Sequence, residues 1–150
     1  MRSLAAASML LMFTLLWPGL NQAGDFVQYP GSVLDRDMST KSTMAIKESG
    51  SSDEVHVYTS RDGFDKVVAF YKKAGKEYAA PWTKLVRKLP DGRDIKVKVI
   101  LLDGADDVSE SKHWVQVQYP FIGDVEMAGS TPRYKDVRDA TSIVYTHLKN

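Results

Sequence analysis

Three histidines, His56, His113 and His147, are the residues of this chain best suited to proton transfer or metal ligation, and they lie far apart in sequence. Neutral imidazole ligates zinc and other transition metals and titrates near neutrality. A metal centre would need all three to converge with a carboxylate, because no His-x-His or His-x-x-x-His spacing brings two together locally. The plainer expectation is three solvent-facing or hydrogen-bonded strand histidines and no metal. The chain has no cysteine, which excludes a thiol nucleophile, Cys-ligated zinc, disulfides and a lipidated N-terminal Cys. Serines and acids are plentiful, yet no Gly-x-Ser-x-Gly element presents a strained nucleophile. No residue is therefore assigned a catalytic role.

Two charged groupings remain. Asp103, Asp106, Asp107 and Glu110 gather oxygen ligands of the kind calcium accepts, but their spacing is not that of an EF-hand, and a solvated loop is the simpler reading. Lys84, Lys88, Lys96 and Lys98 recur at even positions in two β-prone runs, with Trp82 and Trp114 in the neighbouring segments. Ammonium groups hold phosphate or carboxylate, and indole faces stack on sugars, so these six residues form the candidate site for an anion or glycan. The competing expectation is that lysines on exposed strands block edge-to-edge association. Phe26, Tyr29, Phe121 and Ile122 fall in segments without clear periodicity, where they either offer an apolar partner contact or pack against a sheet edge.

The elements that would carry these residues follow from periodicity. Residues 25 to 41, with the turn signal Tyr29-Pro30-Gly31-Ser32, read as an irregular entry. Met44 and Ile46 alternate with polar residues, and after a polar break at residues 48 to 53 Val55, Val57 and Thr59 resume the period of two, which predicts a hairpin. Phe64, Val67, Val68, Tyr71, Ala74 and Tyr78 then follow helical spacing with charges on the other side, and Ser60 or Asp62 is placed to cap the start. Pro90-Asp91-Gly92-Arg93 predicts a second hairpin between residues 82–89 and 94–102. There Leu85, Leu89, Ile95, Val97, Val99 and Leu101 should face the core, and the four lysines the outside. Val115, Val117 and Tyr119 predict a further strand ended by Pro120, and residues 136 to 149 favour a strand over a helix. The sum is an α+β domain, a mostly antiparallel sheet of about five to six strands with one main helix packed on one face.

The first 23 residues stand apart from that domain. Arg2 is followed by an apolar run from Leu4 to Trp17, broken by Pro18 and Gly19 and ending at Ala23, the layout of a secretory signal peptide cleaved after Ala23. The run stops short of the roughly 20 apolar residues that cross a bilayer, so no transmembrane segment is expected after cleavage. Retention as an anchor is the alternative. The expected localisation is the periplasm or the exterior, with residues 24 to 150 as a single domain. Of 150 residues, 43% are hydrophobic and 26% charged, ordinary globular values. Removing Arg2 leaves as many cations as acids in the domain, so the dense positive excess that nucleic acid demands is missing.

The order of these signals, Tyr29-Pro30-Gly31-Ser32, a strand ending near Tyr58-Thr59-Ser60, then Phe64-Asp65-Lys66-Val67-Val68-Ala69-Phe70-Tyr71, resembles small exported bacterial domains of unassigned function. Those domains carry a YPGA-like element and a VxxFYxxxL-like helix. The resemblance implies an α+β fold and export. Here Ser32 stands where Ala is common, and Ala74-Gly75 where the helix often continues with Leu. The leading expectation is a non-enzymatic binding or accessory module, without cofactor, whose partner is a protein, a glycan or a small anion. The alternative is a small hydrolase or other enzyme using His113 or His56 with a nearby acid, and a third is a structural envelope protein.

Overall fold

The computed structural model describes residues 25–84 and 87–149; the expected export segment, residues 1 to 23, and Leu85 lie outside the described residues. In chain order, β1 (Val33–Leu34) leads into α1 (Arg36–Glu48) and β2 (Glu54–Ser60), and then α2 (Phe64–Lys72) is followed by β3 (Lys76–Tyr78). A 3-10 turn at Pro81–Lys84 precedes β4 (Arg87–Lys88), β5 (Asp94–Leu101) and β6 (His113–Tyr119). The chain closes with β7 (Phe121–Ala128), β8 (Thr131–Arg138) and β9 (Thr141–His147). The main sheet is antiparallel throughout, ordered β1-β2-β9-β6-β5-β3 with β4 also beside β5, and β7 and β8 form a separate two-stranded sheet. The α+β class, the antiparallel sheet and the final strand are as expected. The described residues add a second helix and an extra hairpin.

The α2 helix forms where its apolar stripe requires. Phe64, Val67, Val68 and Tyr71 are buried on one side, against Ile100, Leu102, Val115, Val117 and Ile143 of the sheet. Its N-cap is Gly63, with no side-chain cap, instead of Ser60 or Asp62. Asp62 is occupied elsewhere, accepting from the Tyr29 hydroxyl at 2.7 Å and pairing with Lys66 at 3.0 Å. The helix also stops before Tyr78. The chain turns at Gly75, where a Cβ would strike the Leu101 carbonyl, and Lys76–Tyr78 then pairs with β5 as a strand. Ala74 and Tyr78 kept helical spacing in the sequence because a short strand and a last helical turn offer too few residues to separate the two periods.

Three expectations are corrected. Residues 36 to 48 are a helix, not an irregular segment followed by a strand through Met44 and Ile46. Asp35 caps α1, its carboxylate accepting from the Met38 amide at 3.0 Å, and Met38 and Ile46 pack beside Val55 and Val57 on the sheet face opposite α2. Second, where one hairpin arm was expected, the described residues show the 3-10 turn Pro81–Lys84 and the two-residue strand Arg87–Lys88. Third, β5 has two buried sides. Ile100 and Leu102 meet α2, whereas Val99 and Leu101 pack with Ala80, Tyr78, Ala105, Val108 and Trp114 on the opposite side. Lys96 and Lys98 alternate with Val97 and Val99 and so share the side of Ile100: they rim the α2 face and do not cover an outer basic one.

Residues 121 to 138, read as irregular at Phe121 and Ile122, form a β-hairpin turning at Gly129. Phe121 is buried at its base with Val55 and Val57, and Tyr29 is buried under α2, so both belong to cores. Farther out the hairpin stands in solvent. Val125 pairs with Tyr134 and Met127 with Pro132 on one side, while Glu126 and Lys135 pair their charges on the other.

Candidate functional site

Strand register brings together what the sequence kept apart. Glu54, His147 and His113 are successive partners across β2, β9 and β6, and in the next row His56 lies beside Tyr145 and Tyr145 beside Val115. Because alternate residues share a side, all three histidines lie on the α2 face of the sheet, at the end remote from the α2 N-terminus. The His113 and His147 rings stack at 4.2 Å. Tyr145 is central, 6.2 Å from His56 and 6.3 Å from each of the others, with its hydroxyl 2.9 Å from His113 Nδ1.

The electrostatics of this end follow from partial burial. Desolvation, then the neighbouring His147, pushes His113 below the usual histidine range, with Asp103 and Asp25 opposing. Burial raises the Tyr145 phenol. Glu54 is held below the usual carboxylate range by the Lys149 ammonium, and its other oxygen is 3.8 Å from His56 Nε2. Among the described residues no three His, Asp or Glu side chains are placed to hold a metal ion. The stacked pair shows the geometric reason, since ligation needs ring nitrogens converging in plane, not faces in contact.

The six residues singled out for an anion or glycan are divided by the fold. Lys84, Lys96 and Lys98 line one open depression of about 370 Å³ with Phe64, Thr83 and Asp94, and the Lys96 ammonium is 5.9 Å from the Phe64 ring centre. Lys98 is paired with Glu77, and Lys88 with Asp94 at 2.6 Å. Trp82 sits in the 3-10 turn, 43% exposed, while Trp114 packs on the opposite sheet face, away from the lysines. The acidic loop is occupied as well: Asp103 accepts from the Lys112 amide and Ser111, Asp106 pairs with Lys76, and Asp107 accepts from Tyr78.

The lysine depression does not end at Lys96. It continues past Phe64 and Asp65 into a second hollow of about 410 Å³ lined by Arg61, Lys66 and Tyr119. That hollow shares Arg61, Asp62, Asp139 and Ala140 with a third of about 630 Å³, bounded by Pro30, Val33, Thr59 and Arg138. Together they make one groove along the end of the sheet where α2 begins. Arg61, Lys84 and Lys96 make no ion pair among the described residues. Arg61 was missed in the sequence because a single arginine after a strand has no pattern, and its place in the groove depends on the β8–β9 turn that brings Asp139 and Ala140 alongside. Comparison with protein families, with curated proteins and with solved structures finds no match to this chain.

Proposed function

We propose that the domain is a non-enzymatic binding module, exported to the periplasm or the exterior, that holds an anionic glycan along the groove at the start of α2. The observation that carries this reading is the continuity of three hollows through Arg61 and Lys96, two cations free of ion pairs among the described residues. A single small anion needs one hollow; a chain of acidic sugars can use all three. Phe64 and Pro30 add apolar surface for sugar rings. Titration with oligogalacturonate, with maltohexaose as the neutral control, tests it. Affinity for the charged chain should fall with added salt and drop about tenfold in the Arg61→Glu, Lys96→Glu double variant. Equal affinity for the neutral chain, or no change in that variant, overturns the proposal.

One observation supports a second reading, general acid–base chemistry at the other end of the sheet: the 3.8 Å approach of His56 to Glu54. Turnover of a chromogenic ester by the full chain, abolished in His56→Gln, would favour that reading and displace the first.

A further inference from the structure

The N-terminal segment of the described chain places an aromatic side chain where a ligand ring would fit. Phe26 stacks on Tyr145 at 4.2 Å with planes 12° apart, and lies nearly parallel to Tyr71 at 6.2 Å and 11°. Tyr58 approaches at 5.5 Å from the side. Three tyrosines contributed by β2, α2 and β9 thus make a slot, and a residue from an irregular segment fills it. The slot is built from the main sheet and its helix; its occupant is not.

The slot also has an unanswered polar group. Tyr71 is 1% exposed; the Tyr29 backbone approaches its hydroxyl oxygen, but no hydrogen bond of good geometry forms and the hydroxyl proton has no acceptor, while the Tyr58 and Tyr29 phenols are its electrostatic neighbours. A phenylalanine at position 71 would give the same ring without a buried hydroxyl lacking a partner, which folded proteins rarely keep. Phe26, a hydrocarbon ring, cannot supply one.

We infer that the Tyr58–Tyr71–Tyr145 slot is a binding site for a small planar aromatic molecule bearing a hydroxyl, and that Phe26 is a displaceable occupant competing with it. The ligand ring replaces that of Phe26 on Tyr145, and its hydroxyl pairs with Tyr71. This site is at the opposite end of the α2 face from the groove, and its test is independent of glycan binding. It differs from an ordinary apolar cavity in one respect: it discriminates phenol from benzene.

Calorimetric titration of the full chain with phenol and with benzene reads that difference. Phenol should bind the unsubstituted chain, and about tenfold more tightly once Phe26→Ala removes the competitor. In that variant phenol should be preferred over benzene about tenfold, a preference lost on adding Tyr71→Phe. If Phe26→Ala does not fold, Phe26→Leu leaves apolar contact in place and should show the same order with smaller differences. Equal binding of benzene and phenol, or no phenol binding by the unsubstituted chain at concentrations that saturate the variant, overturns the inference.

Discussion

The two helices cover the sheet in different ways. α2 lies over a face and buries an apolar stripe, Phe64, Val67, Val68 and Tyr71, against five aliphatic side chains. α1 runs along an edge. Over its length it buries Ser39, and it meets β2 largely through hydroxyls: the Val57 amide donates to Ser39 Oγ at 2.8 Å, and the Val55 amide and carbonyl both bond Thr43 Oγ1, at 3.3 and 3.1 Å. Ser39 and Thr43 are four apart, one helical turn, so their hydroxyls fall beside residues two apart on the strand. β1 reaches only Tyr58 and Thr59, and beyond it α1 side chains do the work of a neighbouring strand. An unpaired strand edge invites association with another chain, and α1 removes that edge without adding a strand. Apolar coverage is legible in a sequence; coverage by hydrogen bonds is not.

Substitutions sharpen the contrast. Val68→Asp should have the largest effect, because it places an unpaired carboxylate between α2 and the sheet where Val68 is 8% exposed. A loss of more than about 4 kcal/mol is expected, seen as failure to fold at growth temperature. A variant that melts like the parent would mean α2 does not bury this side. Ser39→Ala tests the other helix. It strips the Val57 amide of its partner while removing almost no apolar surface, so denaturant unfolding should show a loss of about 1 to 3 kcal/mol, the cost of a buried unsatisfied donor. A loss of a few tenths would mean that water replaces the hydroxyl and that α1 is held by Met38 and Ile46 instead.

Asp35→Ala comes next, at about 1 kcal/mol for a lost N-cap, with the 3.1 Å pairing to Arg138 removed as well. Amide exchange should quicken in the first turn of α1 and remain unchanged in α2. A smaller, pH-dependent effect belongs to the α2 face, where the histidines lie. His113 titrates below its ordinary value of 6.5, so the unfolded chain binds this proton more readily than the folded one. Its contribution is present above the unfolded value and is lost as pH falls from there through the lower folded value, so the melting temperature should decline from pH 7.5 towards 5.5. His113→Gln should flatten that decline, and an equal slope in both proteins would remove His113 as the cause. The smallest effect is expected at Lys73, exposed at the end of α2, where Lys73→Asp should stay within about 0.5 kcal/mol.

How much was legible can be followed at particular residues. Val115, Val117 and Ile143 were readable as strand residues because alternation and β-branching act locally, and all three prove buried. Lys96 and Lys98 were assigned to the wrong side, because alternation separates two sides of a strand without saying which one a helix will cover. Where both sides are apolar, as at Val99, Ile100 and Leu101, the sequence has no bias to read. The candidate site was legible in part: Lys84, Lys96 and Lys98 share a depression, but Trp114 faces away from it and Arg61 was not anticipated.

By itself the amino-acid sequence determined the α+β class, the position of α2 and the absence of any cysteine chemistry, and it favoured, without deciding, a strand at the C-terminus. These depend on residue type and on periods of two or about 3.6, which a short window contains. The tertiary structure alone decided that His56, His113 and His147 meet around Tyr145, that Phe26 stacks on Tyr145 and lies nearly parallel to Tyr71, and that α1 is a helix. Each depends on partners remote in sequence. Strand register sets His113 beside His147, 34 positions away, and His56 beside Tyr145, 89 away; an irregular segment lays Phe26 on Tyr145; and α1 is stabilised by partners on β2 that its own sequence does not contain.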